Sequence, residues 1–135
     1  VSQAVLLDSE GLSRYLRGTG DLAARIAAAR RHDAEVYTCA MTVLEAAGPK
    51  VAAARVGWAL SQIVIEPVTE ADARAAHRML TAAGLHGHKY AIDAVLVALA
   101  LRLPVSRVVL LTSDPEDLTV LLGEDGGRRV SVVAL

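Results

Sequence analysis

Four acidic residues of this chain sit among apolar neighbours. Asp8 ends Val5-Leu6-Leu7, and Glu45 follows Met41-Thr42-Val43-Leu44. Asp93 lies inside Ala91-Ile92-Asp93-Ala94-Val95-Leu96-Val97-Ala98-Leu99, and Asp114 comes just after Val108-Val109-Leu110-Leu111-Thr112. Carboxylates are rarely fully buried unless they are paired or bound to a cation. Four such cases point to one shared site. An all-acid site most naturally holds Mg2+ or Mn2+, because hard cations prefer oxygen ligands. Two carboxylates ~4 Å apart repel by roughly 4 kcal/mol at an effective dielectric of 20. Against a total stability of about 5–15 kcal/mol, several such pairs need a compensating charge. A divalent cation supplies it, and with it a means to activate water and stabilise a phosphodiester in transit.

Each acid also has a plain structural reading. Asp8 after a strand can cap the next helix. Glu45 can turn to solvent from a helix edge. Asp114 in Thr-Ser-Asp-Pro-Glu-Asp fits a turn and cap. Asp93 is hardest to dismiss: a purely structural role requires a buried ion pair, and Lys89, four residues earlier, is the nearest candidate.

Around these acids stand other groups able to do chemistry. His88 and Lys89, with His86, lie just before the Asp93 helix, in what reads as a loop, and could contact phosphate. Arg30 and Arg31, with Arg25 and His32, could track an RNA backbone or simply form a solvated helix face. His86-x-His88 lacks the further Cys or His that zinc needs. His77 reads as a packed core residue. Cys39 reads as a small buried side chain with no histidine partner to make it a nucleophile. Trp58 and the stretch Val51 to Leu60 could face a partner subunit, but core packing is the first expectation.

The elements that would position these groups alternate. Strands are expected at Val5–Leu7, Glu35–Thr38, Ile63–Glu66, Arg107–Leu111 and Arg129–Val133. Helices are expected at Ser9–Arg17, Asp21–Arg31, Thr38–Ala47, Pro49 toward Leu60, Thr69–Ala83, Tyr90–Leu101 and Pro115–Leu122. Gly18-Thr19-Gly20, Gly48-Pro49 and Gly84 with Gly87 break the helices. Thr69-x-x-Asp72 resembles a capping box, and Ala73, Ala76, His77 and Leu80 are placed on that helix's inner face. Such alternation predicts an α/β fold: a single domain over residues 1–135, with a central parallel sheet of about five strands flanked by helices. Asp8 and Asp114 then emerge at the carboxyl ends of their strands, where sites of such sheets lie.

The totals agree. A chain of 135 residues gives one domain and one core. With 53% hydrophobic but only 3% aromatic residues, that core is built from Leu, Val, Ile and Ala. A net charge of −1 does not announce a nucleic-acid binder, nor does it prevent a local basic patch. Cys39 is the sole cysteine, so no internal disulfide forms and a reducing compartment fits. The expectation is a cytoplasmic protein with no signal peptide and no membrane span.

In order and spacing the motifs resemble the PIN-domain family, in particular the VapC-like toxins of bacterial toxin–antitoxin pairs. The resemblance rests on Val5-Leu6-Leu7-Asp8-Ser9, Thr42-Val43-Leu44-Glu45, Tyr90-Ala91-Ile92-Asp93-Ala94 and Leu111-Thr112-Ser113-Asp114-Pro115. It covers nearly the whole chain. It implies a magnesium- or manganese-dependent ribonuclease with Asp8, Glu45, Asp93 and Asp114 as catalytic, metal-holding acids. Ser9, Thr112, Ser113 and Asp117 would support them. It also implies an RNA substrate, a homodimer and a small antitoxin, the toxin belonging to a type II pair. The start Asp8-Ser9-Glu10 departs from the family pattern by adding an acid. The alternative is a catalytically silent PIN-like module for binding or assembly. A receiver domain lacks its late lysine here, and a dehalogenase-type phosphatase lacks its Asp-x-Asp.

Overall fold

A computed structural model describes residues 3–18, 20–46 and 50–135. The expected breaks at Thr19 and Gly48-Pro49, the end of a helix at Ala47, and the helix start at Pro49 lie outside the described residues. In chain order the elements are β1 (Gln3–Leu7), α1 (Ser9–Arg17), α2 (Leu22–Arg31), β2 (Ala34–Cys39), α3 (Ala40–Glu45) and α4 (Ala53–Ser61). These are followed by β3 (Val64–Glu66), α5 (Glu70–Ala83), α6 (Gly87–Arg102), β4 (Arg107–Thr112), α7 (Pro115–Leu122) and β5 (Val130–Ala134).

The five strands form one parallel sheet in the order β3-β2-β1-β4-β5. Period-two alternation along β1, β2 and β4 feeds two cores. From β1, Ala4 and Leu6 pack under α5, α6 and α7, while Val5 and Leu7 pack under α1, α2 and α4. Both faces are covered, which is why the central strands β1 and β4 read as continuous apolar runs. The chain leaves β1 toward β2 and leaves β4 toward β5, so the winding reverses between β1 and β4. Ligand clefts of open parallel sheets form beyond the carboxyl ends at such a reversal.

Local signals end the helices where the sequence says they should. Gly18 takes φ 68° and its N–H closes on Arg14 and Tyr15 carbonyls, stopping α1. Pro115 opens α7. The capping box of α5 is complete: the Thr69 hydroxyl accepts from Asp72 N–H and the Asp72 carboxylate accepts from Thr69 N–H, both at 3.1 Å.

Three expectations are overturned. Helix α6 begins at Gly87, not Tyr90, so His88 and Lys89 belong to its first turn rather than to a loop. On α5 the buried face is Asp72, Ala76 and Met79, while Ala73 and His77 are exposed. The cause is Asp72, which turns inward to take a 2.7 Å hydrogen bond from Arg102 of α6. Trp58 is 55% exposed, not core. No helix among the described residues is long and apolar enough to cross a membrane.

Candidate active site

Asp8 follows β1 directly and is buried. Its extended backbone makes it the N-cap of α1, with Oδ1 accepting from Gly11 N–H at 2.7 Å. Gly11 permits this approach, since a Cβ there would stand 3.3 Å from Oδ1. The other oxygen, Oδ2, accepts from the Thr112 hydroxyl at 2.7 Å and from Ser113 N–H at 3.0 Å. Thr112 Oγ1 in turn accepts from Asp114 N–H at 2.9 Å. The backbones join as well: Asp8 N–H donates to Leu111 C=O at 3.2 Å, and Thr38 Oγ1 donates to Leu7 C=O at 2.9 Å. Asp8 is therefore both a helix cap and a rigid acid at the seam of β1 and β4. Oδ1, with one donor, still has lone-pair capacity, whereas Oδ2 already accepts two.

The other acids gather around it. A cleft of about 650 Å³ at this edge is lined by Asp8, Ser9, Glu45, His88, Lys89, Asp93, Ser113, Asp114 and Asp117, with Glu10, Met41 and Tyr90 among its walls. Helices α1, α3 and α7 start directly at the ends of β1, β2 and β4. Their amino-terminal N–H groups favour negative charge at this edge. Glu45 sits at the end of α3 and accepts a short hydrogen bond from Ser9 Oγ. Asp114 stands before α7 without using its carboxylate as a cap.

Burial is uneven, and this corrects the opening expectation of four buried acids. Asp8 is buried, Asp93 is half-buried, and Glu45 and Asp114 are exposed at the rim. Asp93 carries the electrostatic load. Burial, then the charges of Asp8, Asp114, Glu45 and Asp117, push its carboxyl up to about 6. The expected partner Lys89 does not relieve it: the Lys89 ammonium lies 5.2 Å from the centre of the Tyr90 ring. Asp117 is thus a fifth contributor to the field. Ser113 contributes its N–H to Asp8, and Thr112 acts from behind the cleft wall.

Two expected residues do not join. Arg30 and Arg31 close α2 just ahead of β2, at the opposite edge of the sheet. Arg30 donates to Gln62 C=O at 2.6 Å. Glu10 lines the cleft, but its Oε1 is held by Arg14 at 3.3 Å and Arg17 at 3.4 Å. The spacing of Glu10, Arg14 and Arg17 on one helix face was the available signal. The buried acid that sequence reasoning passed over is Asp72. Burial pushes its carboxyl up, but hydrogen bonds from Arg102 and Thr69 and the Arg102 charge outweigh this and leave it below the usual value. A larger cavity, about 810 Å³, lies between α5 and α7 among Met79, Leu101, Val120 and Leu121, away from the clustered acids.

The cleft fits a hard divalent cation in donor type and charge, since its ligating groups are carboxylates whose fields already oppose one another at Asp93. Among the described residues no three His, Cys, Asp or Glu side chains stand close enough together to hold a metal ion as they are. No known protein-family model matches the chain, and no curated protein matches it.

Proposed function

We propose that this chain is a PIN-like nuclease domain that hydrolyses RNA phosphodiester bonds with Mg2+ or Mn2+. The observation that carries the reading is one cleft, at the reversal point of a parallel sheet, lined by Asp8, Glu45, Asp93, Asp114 and Asp117, with Asp93 raised to about 6 by burial and by the other four. Asp8 and Asp93 would hold the metal, with Glu45 and Asp114 completing its surroundings. The bound ion supplies Lewis-acid stabilisation of phosphate charge and a more acidic water. The chain's own groups do the rest. Gly11, Thr112 and Ser113 hold Asp8 in one orientation, and Ser9 holds Glu45. Asp93, whose carboxyl is raised by burial and by the neighbouring acids, is the cleft group that a cation would relieve most. In the first turn of α6, Lys89 offers positive charge and His88 a hydrogen bond for a phosphate at the acidic edge.

Purified protein should cleave RNA with Mg2+ or Mn2+ and stop in EDTA. Asp8→Asn and Asp93→Asn should each lower the rate by 100-fold or more, with circular dichroism unchanged. Equal cleavage by Asp93→Asn sinks the reading.

The toxin role, with a small antitoxin, a homodimer and a cytoplasmic location, extends the same proposal from the motif resemblance. Its test is growth arrest on induction in a bacterium, relieved by Asp93→Asn. The second reading is a catalytically silent binding module, since among the described residues no three His, Cys, Asp or Glu side chains are grouped to hold a metal ion. Absence of cleavage with both metals, in protein that still binds RNA, would select it.

A further inference from the structure

The exposed tryptophan has company that its sequence neighbours do not reveal. A groove of about 200 Å³ between α1, α2 and α4 is lined by Trp58, Tyr15, Arg14, Arg30 and Arg55 together with small residues, and no acid lines it. Arg55 is fixed there: its Nε donates to Leu16 C=O at 3.1 Å, and its guanidinium stands 5.3 Å from the Trp58 ring centre. Gly18 makes room, since a Cβ at that position would lie 2.6 Å from the Arg55 guanidinium. An indole 55% exposed, with one guanidinium over its ring and two further arginines lining the same groove, is well suited to a flat, anionic ligand.

We infer that this groove binds single-stranded RNA, a base stacking on Trp58 while Arg14, Arg30 and Arg55 take phosphates. The inference rests on the nuclease reading for the identity of its ligand. Continuity supports it. Helix α1 starts at the acidic cleft with Asp8 and Ser9 and ends at the groove with Gly18, so the two lie about one helix length apart, roughly 13 Å. Arg14 and Arg17 mark the path between them, both reaching back to Glu10 on the cleft wall. An unpaired strand is favoured over a duplex because stacking on a side chain requires a free base face.

Trp58 is the only tryptophan, so its emission reports on this groove alone. Wild-type protein in EDTA, where no cleavage competes, is titrated with 12-nucleotide oligoadenylate and oligouridylate, a duplex of the two, and a polyglutamate peptide. The single strands should quench the emission saturably, with a log K against log salt slope of about −2 for three phosphates. By anisotropy of a labelled oligomer, Trp58→Leu should weaken binding at least 5-fold. Arg14→Ala should weaken it 3- to 10-fold and make the slope shallower. Stronger quenching by polyglutamate than by either single strand overturns the inference in favour of an acidic protein partner. Equal binding of the duplex, or no quenching at all, also overturns it. If RNA is cleaved with Mn2+ and Trp58→Leu leaves KM unchanged, the groove inference fails while the nuclease reading stands. Oligomer binding at Trp58 without cleavage leaves the groove and removes the nuclease.

Discussion

Asp93 concentrates the tension of this molecule in one side chain. Its carboxyl titrates near 6 when folded and near 3.9 when unfolded, so between those values the folded state binds more protons. Stability therefore rises as pH falls from 7 through 6 toward 4, and the penalty of ionised Asp93 is fully present above 6. For a half-buried group that penalty is about 1–2 kcal/mol at pH 7 after solvent screening. Asp93→Asn in EDTA should then be more stable than wild type by that amount at pH 7, and the gap should be about halved at pH 5 and close only below about pH 4. Urea titrations at several pH values measure it. A substitution that destabilises at pH 7 would mean that Asp93 is paired in a way its surroundings do not display. The four acids singled out in the sequence line one cleft, but not for the reason the sequence suggested. Apolar flanks mark the strand or helix that carries an acid, not the depth of the carboxylate. Glu45 and Asp114 leave the core at the element ends, and Lys89 turns to its own aromatic neighbour.

Most element ends were legible where a single residue decides them. Asp8 and Gly18 bracket α1, and Pro115 and Leu122 bound α7 as expected. The missed start of α6 has a physical cause: His86 keeps an extended backbone and the helix begins directly at Gly87, a residue that reads as a breaker. The misjudged face of α5 has another. Asp72 was read only as part of a cap, whereas Arg102 also draws it inward, and no local pattern announces a partner thirty residues away. That pair also holds Glu66 at 3.6 Å and Pro67 C=O at 3.0 Å, so it ties the exit of β3 to α5 and α6. Asp72→Asn should cost about 1.5–3 kcal/mol, read by denaturation at pH 7. The sign with pH is opposite to that of Asp93. The Asp72 carboxyl is held below its unfolded value, so its contribution is complete above about 3.9 and is lost as pH falls through the folded value. The substitution's cost should accordingly shrink below pH 4. A cost that stays constant on acidification would assign Asp72 to capping alone.

At the scale of the molecule, the α/β class and five-stranded parallel sheet followed from alternation, and the placement of Asp8 and Asp114 at one edge followed from the sheet. What no one-dimensional pattern could supply was the spacing among the acids, because β1, α3, α6 and β4 reach the cleft from four parts of the chain. The fold brings these carboxylates to one edge, where a bound cation would relieve their repulsion. A metal that binds only the folded state stabilises it by RT ln(1 + [L]/Kd), about 2.7 kcal/mol at a hundredfold excess over Kd. For a chain of 135 residues this is a rise in Tm of roughly 8–15 °C. Saturating Mn2+ should produce such a rise in wild type at pH 7. In Asp93→Asn, which starts higher in EDTA, the rise should be at most half as large, because the variant has lost both a ligand and the repulsion that binding relieves. The wild-type effect should also weaken as pH drops below 6, where protons occupy Asp93 in competition with the metal. Thermal scans in EDTA and Mn2+ across pH 5 to 8 check all three together. Equal metal shifts in the two proteins would place the cation away from Asp93, and no shift in either would leave the acidic edge without the ion its charges call for.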